Sequence, residues 1–450
     1  MRRIGGKLTF SRGGIHPPGH KNLVNRSKYF VIPNPTELLI HFNQHIGPAS
    51  KPIVNAKDEV IALQKIGEPS GYVSVTVHTP LAGTVKSITH HNLLGIQGDA
   101  ALIAVHADQP AFIGIDHNLP EPDLKNLSAA DIMAKIQAAG LVGMGGATFP
   151  THVKLSPPPD CKVDTVIING AECEPYLTAD DCLMQNHPEQ VVYGLLLMLK
   201  VLGAEKGIIA LEDNKPEAAE AMQTVVSRFH KLSVVVTNTI YPQGSEKQLV
   251  DTVLGRTIPL GKLPANVGVI LQNAATSAAL YEAVQFNRPL VRRIVTVSGG
   301  AVKEPKNVLA PVGVSAKVLL EFCGGLKDEL ATIVFGGPMM GRATNHIDTP
   351  VTKGTSGILF LTQKEIAHYI ERDCLRCGSC AQVCPMGLVP SEVMNHMKFG
   401  MYDKIEDALA CVECGTCVYV CPSHKRLTQW CRLAKYELRR QAARKAKVKV

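Results

Sequence analysis

Two stretches near the C-terminal end decide how that part of the chain folds: CLRCGSCAQVCP at residues 374–385 and CVECGTCVYVCP at residues 411–422. Each spaces its cysteines as Cys-x2-Cys-x2-Cys-x3-Cys-Pro, the bacterial pattern for ligands of [4Fe–4S] clusters. When the run occurs twice, three cysteines of one run bind one cluster and the fourth binds the other cluster. The sequence therefore predicts two clusters, one held by Cys374, Cys377, Cys380 and Cys421, the other by Cys411, Cys414, Cys417 and Cys384.

Zinc is the alternative for closely spaced cysteines. A structural zinc site takes four ligands from paired Cys-x2-Cys motifs, which does not explain a third evenly spaced cysteine or the Cys-Pro ending. With every motif cysteine used as a ligand, no iron site stays open for a substrate, so we predict a relay of electrons and no catalytic side chain. The other cysteines are scattered, and we expect buried, small apolar side chains at Cys161, Cys173, Cys182, Cys323 and Cys431.

The composition describes a globular protein. The chain has 450 residues, 45% of them apolar and 19% charged, which predicts about three domains. No apolar run approaches the roughly 18 to 20 residues that cross a bilayer, and no secretory signal is visible at the start. The cytoplasm is therefore the expected compartment, where cysteines serve metal or redox chemistry rather than disulfides.

The net charge of +8 is concentrated at one end of the chain. Residues 421–450 hold ten lysines and arginines against the single acidic residue Glu437, so the rest of the chain is nearly neutral. We interpret residues 426–450 as a basic C-terminal tail. It is a solvated end, a contact with anionic lipid or an acidic partner, or a nucleic-acid arm. Because the charge is confined to this tail, we predict no nucleic-acid-binding face.

The sequence before the cysteine-rich runs divides into regions with different patterns of apolar and polar residues. Short β-like runs occupy the first hundred residues and predict a small β domain, with strands at 29–32, 72–78, 83–88 and 101–106. From about residue 128, apolar runs alternate with helical patterns and predict a parallel sheet covered by helices. Its expected strands are 165–168, 207–211, 233–237 and 268–271, and its expected helices are 129–139, 188–202, 216–230 and 245–254. A second β-rich segment runs from 293–298 to 332–335.

Two loops of the middle region are candidates for a cofactor site. GLVGMGGATFPTHVK at residues 140–154 lacks the usual Gly-x-Gly-x-x-Gly spacing and follows no predicted strand. Its adjacent glycines let backbone N–H groups approach a phosphate, with Lys154 as countercharge, although a structural turn explains them equally well. NGAECEPYLTADD at residues 169–181 reads as an acid-rich turn at the carboxyl edge of the sheet, where such folds bind ligands, or as a solvated loop.

Two other features each keep two interpretations. Tyr241 lines a flavin pocket or is an ordinary loop aromatic. The amphipathic stretch 392–409 packs against the clusters or forms part of a partner surface.

Together with GGIHPP at residues 13–18, EDNKP at 212–216 and YPQG at 241–244, these segments resemble the C subunits of the Rnf (Rsx) electron-transport complexes over essentially the whole chain. The resemblance implies a multidomain fold of α/β and β parts. Its expected domains are a barrel-sandwich hybrid domain at 1–120, a Rossmann-like FMN/NADH domain at 121–285, a soluble-ligand-binding (SLBB) β-grasp domain at 286–361 and a 2[4Fe–4S] ferredoxin-like module at 362–425.

The middle of the chain is also similar to the NADH-oxidising flavoprotein subunit of respiratory complex I. That similarity implies FMN contacts at Gly143, Gly145, Gly146, Lys154, Asn169, Gly244, Ser245, Glu246, Asn273 and Thr276. It places Phe149 and Glu174 at the nicotinamide nucleotide and adds Glu172 to the cofactor-binding residues. Departures from the pattern are Ala171 in place of an acid, Met144 in place of an arginine, and a looser segment at 243–246.

The chemistry agrees with this resemblance, because a hydride carries two electrons and a cubane accepts one, and a flavin converts between them. The resemblance implies a peripheral, NAD(H)-reactive subunit that passes electrons through FMN and two clusters. Its complex couples electron transfer between NAD(H) and ferredoxin to ion translocation. The implied partners are its other subunits, including an iron–sulfur subunit, at the cytoplasmic face of a bacterial or archaeal cell membrane. The alternatives are a soluble flavoprotein like cobalamin reductase and an electron-transfer adaptor without its own NADH site.

Overall fold

The computed structural model describes residues 2–4, 6–111, 119–366 and 370–448. In chain order, its strands are β1 (Arg2–Ile4), β2 (Lys7–Thr9), β3 (Tyr29–Val31), β4 (Glu37–His41), β5 (Lys51–Pro52), β6 (Glu59–Val60), β7 (Lys65–Glu68), β8 (Val77–His78), β9 (Gly83–Leu93), β10 (Ile96–Val105), β11 (Thr165–Gly170), β12 (Lys206–Glu212), β13 (Leu232–Thr237), β14 (Val269–Asn273), β15 (Arg292–Ser298), β16 (Lys306–Pro311), β17 (Thr332–Phe335), β18 (Arg342–Thr344) and β19 (Gly357–Leu361).

Its helices, in the same order, are α1 (Ala129–Ala138), α2 (Thr151–Lys154), α3 (Ala179–Asn186), α4 (Pro188–Leu202), α5 (Pro216–Val226), α6 (Glu246–Leu254), α7 (Ala274–Phe286), α8 (Ala316–Phe322), α9 (Ser379–Gln382), α10 (Pro390–Lys398), α11 (Thr416–Tyr419) and α12 (Leu427–Val448).

The sheet that carries the candidate cofactor loops has the order β1-β2-β13-β12-β11-β14. Strands β13, β12, β11 and β14 pair in parallel, so the predicted parallel sheet and its strands are confirmed. Strand β11 is buried along most of its length because helices cover both faces, as its continuous apolar run indicates. Parallel strands end at one edge, which brings Gly170, Glu212 and Asn273 to the same side of the sheet.

Two helices beside this edge differ from the sequence expectation. The acid-rich turn at 169–181 is shorter than predicted, because α3 already begins at Ala179. Helix α7 was not predicted at all. Its buried positions include Ala274, Thr276, Ser277 and Ala278, and such small or polar residues leave no apolar periodicity to read.

Two antiparallel sheets, β4-β10-β9-β6 and β5-β7-β8, form the small β domain that was expected near the start of the chain. The predicted strands at 83–88 and 101–106 are parts of the long β9–β10 hairpin. Its turn places Leu94 and Gly95 at φ 51° and 81°, the left-handed backbone that a tight hairpin turn requires. The predicted strand at 72–78 is wrong except for its last two residues, Val77–His78.

The first thirty or so residues do not belong to that β domain by strand pairing. Strand β3 was predicted there, but it pairs in parallel with β16 in a third sheet of order β18-β17-β19-β15-β16-β3. The β1–β2 hairpin extends the parallel sheet through the pairing of Leu8 with Thr237. Strands β1, β2 and β3 therefore pair with sheets outside the small β domain, and the sequence of a three-residue strand does not reveal which sheet it joins.

The cysteine-rich module repeats itself at a spacing of 37 residues, from Cys374 to Cys411. Short helices α9 and α11 each follow a glycine at positive φ, Gly378 at 77° and Gly415 at 83°. Longer helices α10 and α12 begin at equivalent positions, Pro390 and Leu427. The predicted stretch 392–409 covers most of α10, the turn that follows and part of a short 3-10 helix (Glu406–Ala410), and α10 packs against α12.

The interpretation of residues 426–450 as a tail is wrong for its first part. This segment forms α12, and Leu427, Cys431 and Ala434 are buried against the rest of the module. Arg432 and Lys435 both pair with Glu413, at 2.9 and 2.7 Å. The sequence indicated a tail because the exposed basic residues of this helix outnumber its buried apolar residues. Residues 449–450 lie outside the described part of the chain.

Across residues 2–4, 6–111, 119–366 and 370–448, no helix has both the length and the apolar character that a membrane crossing demands.

Candidate flavin site and iron–sulfur module

The glycine loop runs between α1 and α2 and is held by its own backbone. The Gly143 N–H donates to the Phe149 carbonyl at 2.8 Å, and the Thr148 N–H donates back to the Gly143 carbonyl at 3.2 Å. The Met144 N–H donates to the Thr276 hydroxyl at 2.8 Å, which fastens the loop to the first turn of α7. The tip at residues 145–147 is exposed, so its backbone is open to a ligand.

The glycines of this loop fit the close approach of a phosphate group. A Cβ at Gly145 would lie 3.4 Å from Cβ of Asn273 and would fill the gap between loop and helix. Gly146 has φ 102°, and no described atom would lie within 4 Å of a Cβ there. Asn273 caps α7 by accepting from the N–H groups of Ala275 and Thr276. A helix N-terminus beside an open glycine loop favours an anion such as the FMN phosphate.

Residues from three elements face this loop. The Asn169 side-chain amide, at the end of β11, donates to the Gly244 carbonyl at 2.7 Å. The Lys154 ammonium, in α2, pairs with the Glu246 carboxylate at 2.6 Å, and Ser245 precedes that glutamate at the start of α6. The structure thus brings together the predicted FMN contacts Gly143, Gly145, Gly146, Lys154, Asn169, Gly244, Ser245, Glu246, Asn273 and Thr276.

The other three predicted residues lie differently. Phe149 belongs to the glycine loop and is half-buried. The Glu172 carboxylate accepts the N–H groups of Asp180 and Asp181 at 2.7 and 3.3 Å, so it caps α3. Glu174 accepts the Met339 N–H at 3.0 Å, in the loop between β17 and β18. Burial raises the pKa of Glu172 and of Glu174 to about 7.

Two lysines that the sequence reasoning missed hold the acidic turn in place. The Lys21 ammonium donates to the carbonyl oxygens of Glu172, Glu174 and Leu177, and burial lowers its pKa. The fully buried Lys215 ammonium donates to the Ala171 carbonyl at 2.6 Å. Lys215 belongs to the EDNKP segment at 212–216, which was singled out in the sequence without a role for its lysine. No comparable pattern marks Lys21.

The cysteines of one predicted ligand set line one cavity. Cys384, Cys411, Cys414 and Cys417 surround it, so a cysteine of the first sequence run lies beside three cysteines of the second. Cys374 and Cys380 of the other set pack together in an adjoining core. The fourth cysteines are placed alike, because the N–H of Leu388 donates to the Cys384 sulfur and that of Lys425 to the Cys421 sulfur, each at 3.4 Å.

These cysteines are available for cluster ligation. All thirteen, each within the described residues, are free thiols. Within that same part of the chain, no three His, Cys, Asp or Glu side chains converge closely enough for a single metal ion. A cubane instead takes one sulfur per iron and spreads its ligands around its surface. Of the remaining cysteines, Cys161 and Cys173 are half-buried, so the expectation of full burial is wrong for these two.

The two halves of the module have different surroundings. Cys414 is buried, and the Tyr241 hydroxyl donates to its carbonyl at 2.7 Å. A Cβ at Gly415 would lie 3.1 Å from the Met339 carbonyl. In the other half, Cys377 is exposed and Leu375 is 69% exposed. The Cys414 side therefore faces the flavin region, and the Cys377 side faces solvent.

Tyr241 lies in a small core that joins the two regions. Its ring is buried with Ile15 and Cys414, and Cys173 and Met339 pack against the same core. These contacts place Tyr241 against the cluster module, a contact that neither of its two interpretations from the sequence included.

The GGIHPP segment seats the cysteine-rich module on the parallel sheet. Gly13 has φ 72°, and a Cβ there would lie 2.6 Å from the Val383 carbonyl oxygen. The Gly14 N–H donates to that same carbonyl at 3.0 Å, and Ile15 exchanges backbone hydrogen bonds with Tyr241. Only a residue without a side chain fits at position 13, which explains one glycine of the motif.

Four family models match successive parts of the chain. They are the RnfC barrel sandwich hybrid domain at residues 9–110, the Nuo51 FMN-binding domain at 136–282, the SLBB domain at 294–343 and the 4Fe-4S dicluster domain at 373–426. The predicted fold class and the two kinds of cofactor agree with these matches. The domain boundaries stay predictions.

Curated relatives cover most of the chain. The C subunit of the proton-translocating ferredoxin:NAD(+) oxidoreductase complex of Clostridium ljungdahlii is 42% identical over 84% of this chain and 82% of its own. The C subunit of the Na(+)-translocating complex of Acetobacterium woodii is 41% identical over 88% and 89%. The C subunit of the ion-translocating oxidoreductase complex of Rhodobacter capsulatus is 39% identical over 85% and 74%. The chain belongs to the RnfC family, the C subunits of ion-translocating ferredoxin:NAD(+) oxidoreductase complexes.

Proposed function

We propose that this chain transfers electrons between NAD(H) and a partner iron–sulfur subunit. Residues 140–154, with Asn169, Gly244 and the first turn of α7, would hold FMN, and the two cysteine sets would hold two [4Fe–4S] clusters. When bound, FMN supplies the conversion between a hydride's electron pair and the single electrons that a cubane accepts. The proposal extends what the relatives' names state of their complexes to this chain.

The observation that carries the proposal is the contact between Tyr241 and Cys414. The hydroxyl-to-carbonyl hydrogen bond of 2.7 Å is buried in a small apolar core and directly joins the loop after β13 to the cysteine-rich module. Cys173, whose sulfur would lie 3.2 Å from a Cβ at Gly244, continues this packing toward the FMN region. The Cys384, Cys411, Cys414 and Cys417 set is thus the inner site.

The Cys374, Cys377, Cys380 and Cys421 set is then the outer site. Cys377 is exposed, Leu375 is 69% exposed and Ile370 is 82% exposed, so this side offers an apolar surface around a cluster ligand. An electron-transfer partner needs such a close approach to the outer cluster. We place the partner iron–sulfur subunit against this side of the module.

The nicotinamide nucleotide is assigned to the face of the glycine loop that carries Phe149, with Glu174 at its other side. Glu174 Oε1 is buried and has no hydrogen-bond partner among the described residues. With its pKa raised to about 7 by burial, this carboxyl can hold a proton near neutral pH and donate it to a polar ligand group.

The first test is an anaerobic NADH titration of the full chain, with iron and flavin quantified on the same sample. We expect about eight irons, as two cubanes require, one FMN, and NADH-dependent bleaching of both flavin and cluster absorbance. Gly146→Ala, which strains a residue at φ 102°, should lose FMN and keep its iron. The matched control is Gly203→Ala, since Gly203 at φ 62° also has no described neighbour within 4 Å of a Cβ but lies at the end of α4.

Either of two results would refute the proposal. Clusters without flavin that stay inert to NADH after FMN reconstitution would make the chain an electron-transfer adaptor. Equal loss of FMN in Gly146→Ala and Gly203→Ala would remove the flavin from the glycine loop.

We also propose a peripheral position at the cytoplasmic face of a bacterial or archaeal cell membrane. Arg439, Arg440 and Arg444 are exposed on α12 and offer positive charge to an acidic partner or to anionic lipid. Deleting residues 439–450 should weaken membrane retention of the assembled complex as ionic strength rises. Retention equal to that of the full chain at every salt concentration would rule out a role for this helix end.

A further inference from the structure

Two loops of the small β domain, around Ile46 and Tyr72, reach the glycine loop. The Ile46 N–H donates to the Thr148 carbonyl at 3.3 Å. The His152 ring nitrogen Nε2, in α2 directly after the glycine loop, donates to the Tyr72 carbonyl at 2.9 Å. One contact is therefore made beside the tip of the glycine loop, and the other beside the helix that follows it.

The backbone and one neighbouring ring hold Tyr72 in place. A Cβ at Gly47, which has φ 109°, would lie 1.9 Å from the Val73 carbonyl oxygen, so the loop that carries Ile46 lies directly against the one that carries Tyr72. The His152 ring is 3% exposed and meets the Tyr72 ring edge-on, with the ring centroids 5.7 Å apart. The position of Tyr72 relative to α2 is thus set by the fold.

These contacts leave most of the Tyr72 side chain open to solvent. It is 62% exposed, and Ile46 is 51% exposed. The tip of the glycine loop at 145–147 is exposed as well. Single exposed apolar residues are ordinary, but here two of them border a loop whose backbone is open to a phosphate. A flat apolar ring beside open backbone N–H groups suits a nucleotide, which carries both phosphates and a base with a π-face.

We propose that Tyr72 forms an adenine subsite for the nicotinamide dinucleotide, with its ring stacked on the adenine and Ile46 extending the apolar contact. The inference rests on the proposed function, which assigns the nicotinamide nucleotide to Phe149 and Glu174. Glu174 contacts the loop between β17 and β18, whereas Tyr72 belongs to the small β domain. The dinucleotide would bridge these two parts of the chain across the glycine loop.

This subsite makes the small β domain part of the nucleotide site. The parallel sheet and its helices carry the glycine loop, but they do not supply the ring of Tyr72, which lies between β7 and β8. The consequence is selectivity for the whole dinucleotide. NADH should bind more tightly than its nicotinamide half, because only the dinucleotide carries a base for Tyr72 to stack on.

The test compares NADH with reduced nicotinamide mononucleotide, which lacks the adenylate half. The full chain with FMN and clusters oxidises each of them, with ferricyanide as the electron acceptor. Tyr72→Ala should raise the KM for NADH about five- to hundredfold, the range expected when one stack between a base and an aromatic ring is lost. The kcat with NADH, and both constants with the mononucleotide, should stay those of the unaltered chain.

Three further variants complete this comparison. Tyr72→Phe keeps the ring and should keep the KM for NADH. Ile61→Ala is the matched control, because Ile61 is 72% exposed in the same β domain, next to β6, and its loss should change neither KM. Tyr72→Leu keeps an apolar side chain against His152 and should raise the KM for NADH alone. It decides the question if Tyr72→Ala does not retain FMN.

Equilibrium binding gives a second readout that needs no turnover. ADP-ribose is the adenylate half of the dinucleotide without nicotinamide. In calorimetric titrations of the full chain, its dissociation constant should be about five- to hundredfold higher in Tyr72→Ala than in the unaltered chain. Oxidised nicotinamide mononucleotide should bind both proteins alike.

The inference would be overturned by an unchanged KM for NADH in Tyr72→Ala, or by a parallel rise for NADH and the mononucleotide. ADP-ribose that does not bind the unaltered chain, or that binds Tyr72→Ala equally well, would also overturn it. An unaltered chain with FMN and about eight irons that oxidises neither NADH nor the mononucleotide would refute the proposed function, and this inference with it. Normal NADH oxidation with an unmoved KM in Tyr72→Ala would refute this inference alone.

Discussion

Lys353 is a buried cation whose removal should change how stability depends on pH. Its side chain is 1% exposed, and its ammonium donates to the carbonyls of Thr76 and Gly140 at 2.8 Å each. Gly140 opens the glycine loop, so this lysine ties the loop to the small β domain. Burial lowers the pKa of Lys353 from 10.5 to about 7.

The direction of the effect follows from proton binding. Between pH 7 and 10.5 the unfolded chain carries a proton on Lys353 that the folded protein lacks, so the free energy of unfolding rises with pH in this window. Below pH 7 both states are charged, and the full penalty of about 5 kcal/mol applies at 1.36 kcal/mol per pKa unit. At pH 9 the remaining penalty is about 2 kcal/mol.

Lys353→Met removes this penalty and two hydrogen bonds. From pH 6 to pH 9, the unaltered chain should gain about 3 kcal/mol in free energy of unfolding that the variant does not gain. This difference corresponds to about 6–12 °C in Tm for a domain of about 150–250 residues. Thermal unfolding of both proteins at pH 6, 7, 8 and 9 measures the difference. Lys135→Met is the matched control, because Lys135 also donates to one carbonyl, that of Val284, but is only half-buried. Parallel Tm curves for Lys353→Met and the unaltered chain would refute the reasoning.

Three further predictions concern the contact between the flavin region and the cysteine-rich module. Gly13→Ala would place a Cβ 2.6 Å from the Val383 carbonyl, so NADH should reduce the clusters more slowly while FMN and iron stay bound; Gly6→Ala, also at positive φ but with open space, should change nothing. Tyr241→Phe leaves the Cys414 carbonyl without its buried donor and should cost about 1–3 kcal/mol, seen as faster amide hydrogen exchange around residues 411–417; unchanged exchange would contradict it. Glu174 has a folded pKa of about 7, above its ordinary 4.5, so the free energy of unfolding should fall as pH rises from 4.5 to 7. Glu174→Gln should abolish up to about 3 kcal/mol of this decline, measured by unfolding at several pH values. A decline that persists in the variant would exclude Glu174 as its source.

Much of the fold could be predicted from patterns within single elements. Helix α4 was predicted with the bounds that the structure has, because Pro188 opens it and an apolar face continues to Leu202. The four central strands of the parallel sheet were also predicted, since buried parallel strands are continuous apolar runs. The spacing of the eight motif cysteines alone was enough to predict them as cluster ligands.

What escaped prediction depends on partners that are distant in sequence. Strand β3 was recognised as a strand, but nothing in its residues points to β16 as its neighbour. Glu172 and Glu174 look equivalent in the acid-rich segment, yet one caps α3 and the other accepts from Met339. Lys21 serves that segment from 151 residues away, which no local pattern records. The ten residues gathered at the glycine loop came from resemblance, because their chemistry is mostly backbone.

The pairing of the earliest residues with later parts of the chain has a consequence for biosynthesis. Leu8 pairs with Thr237, Phe30 pairs with Val308, and Gly13 lies against Val383. On the ribosome, these residues emerge long before their partners, so the sheets that they complete cannot close during early translation. Of these contacts, the one with Val383 lies inside the cysteine-rich module, so a shortage of iron or sulfide should leave the segment around Gly13 open and protease-sensitive.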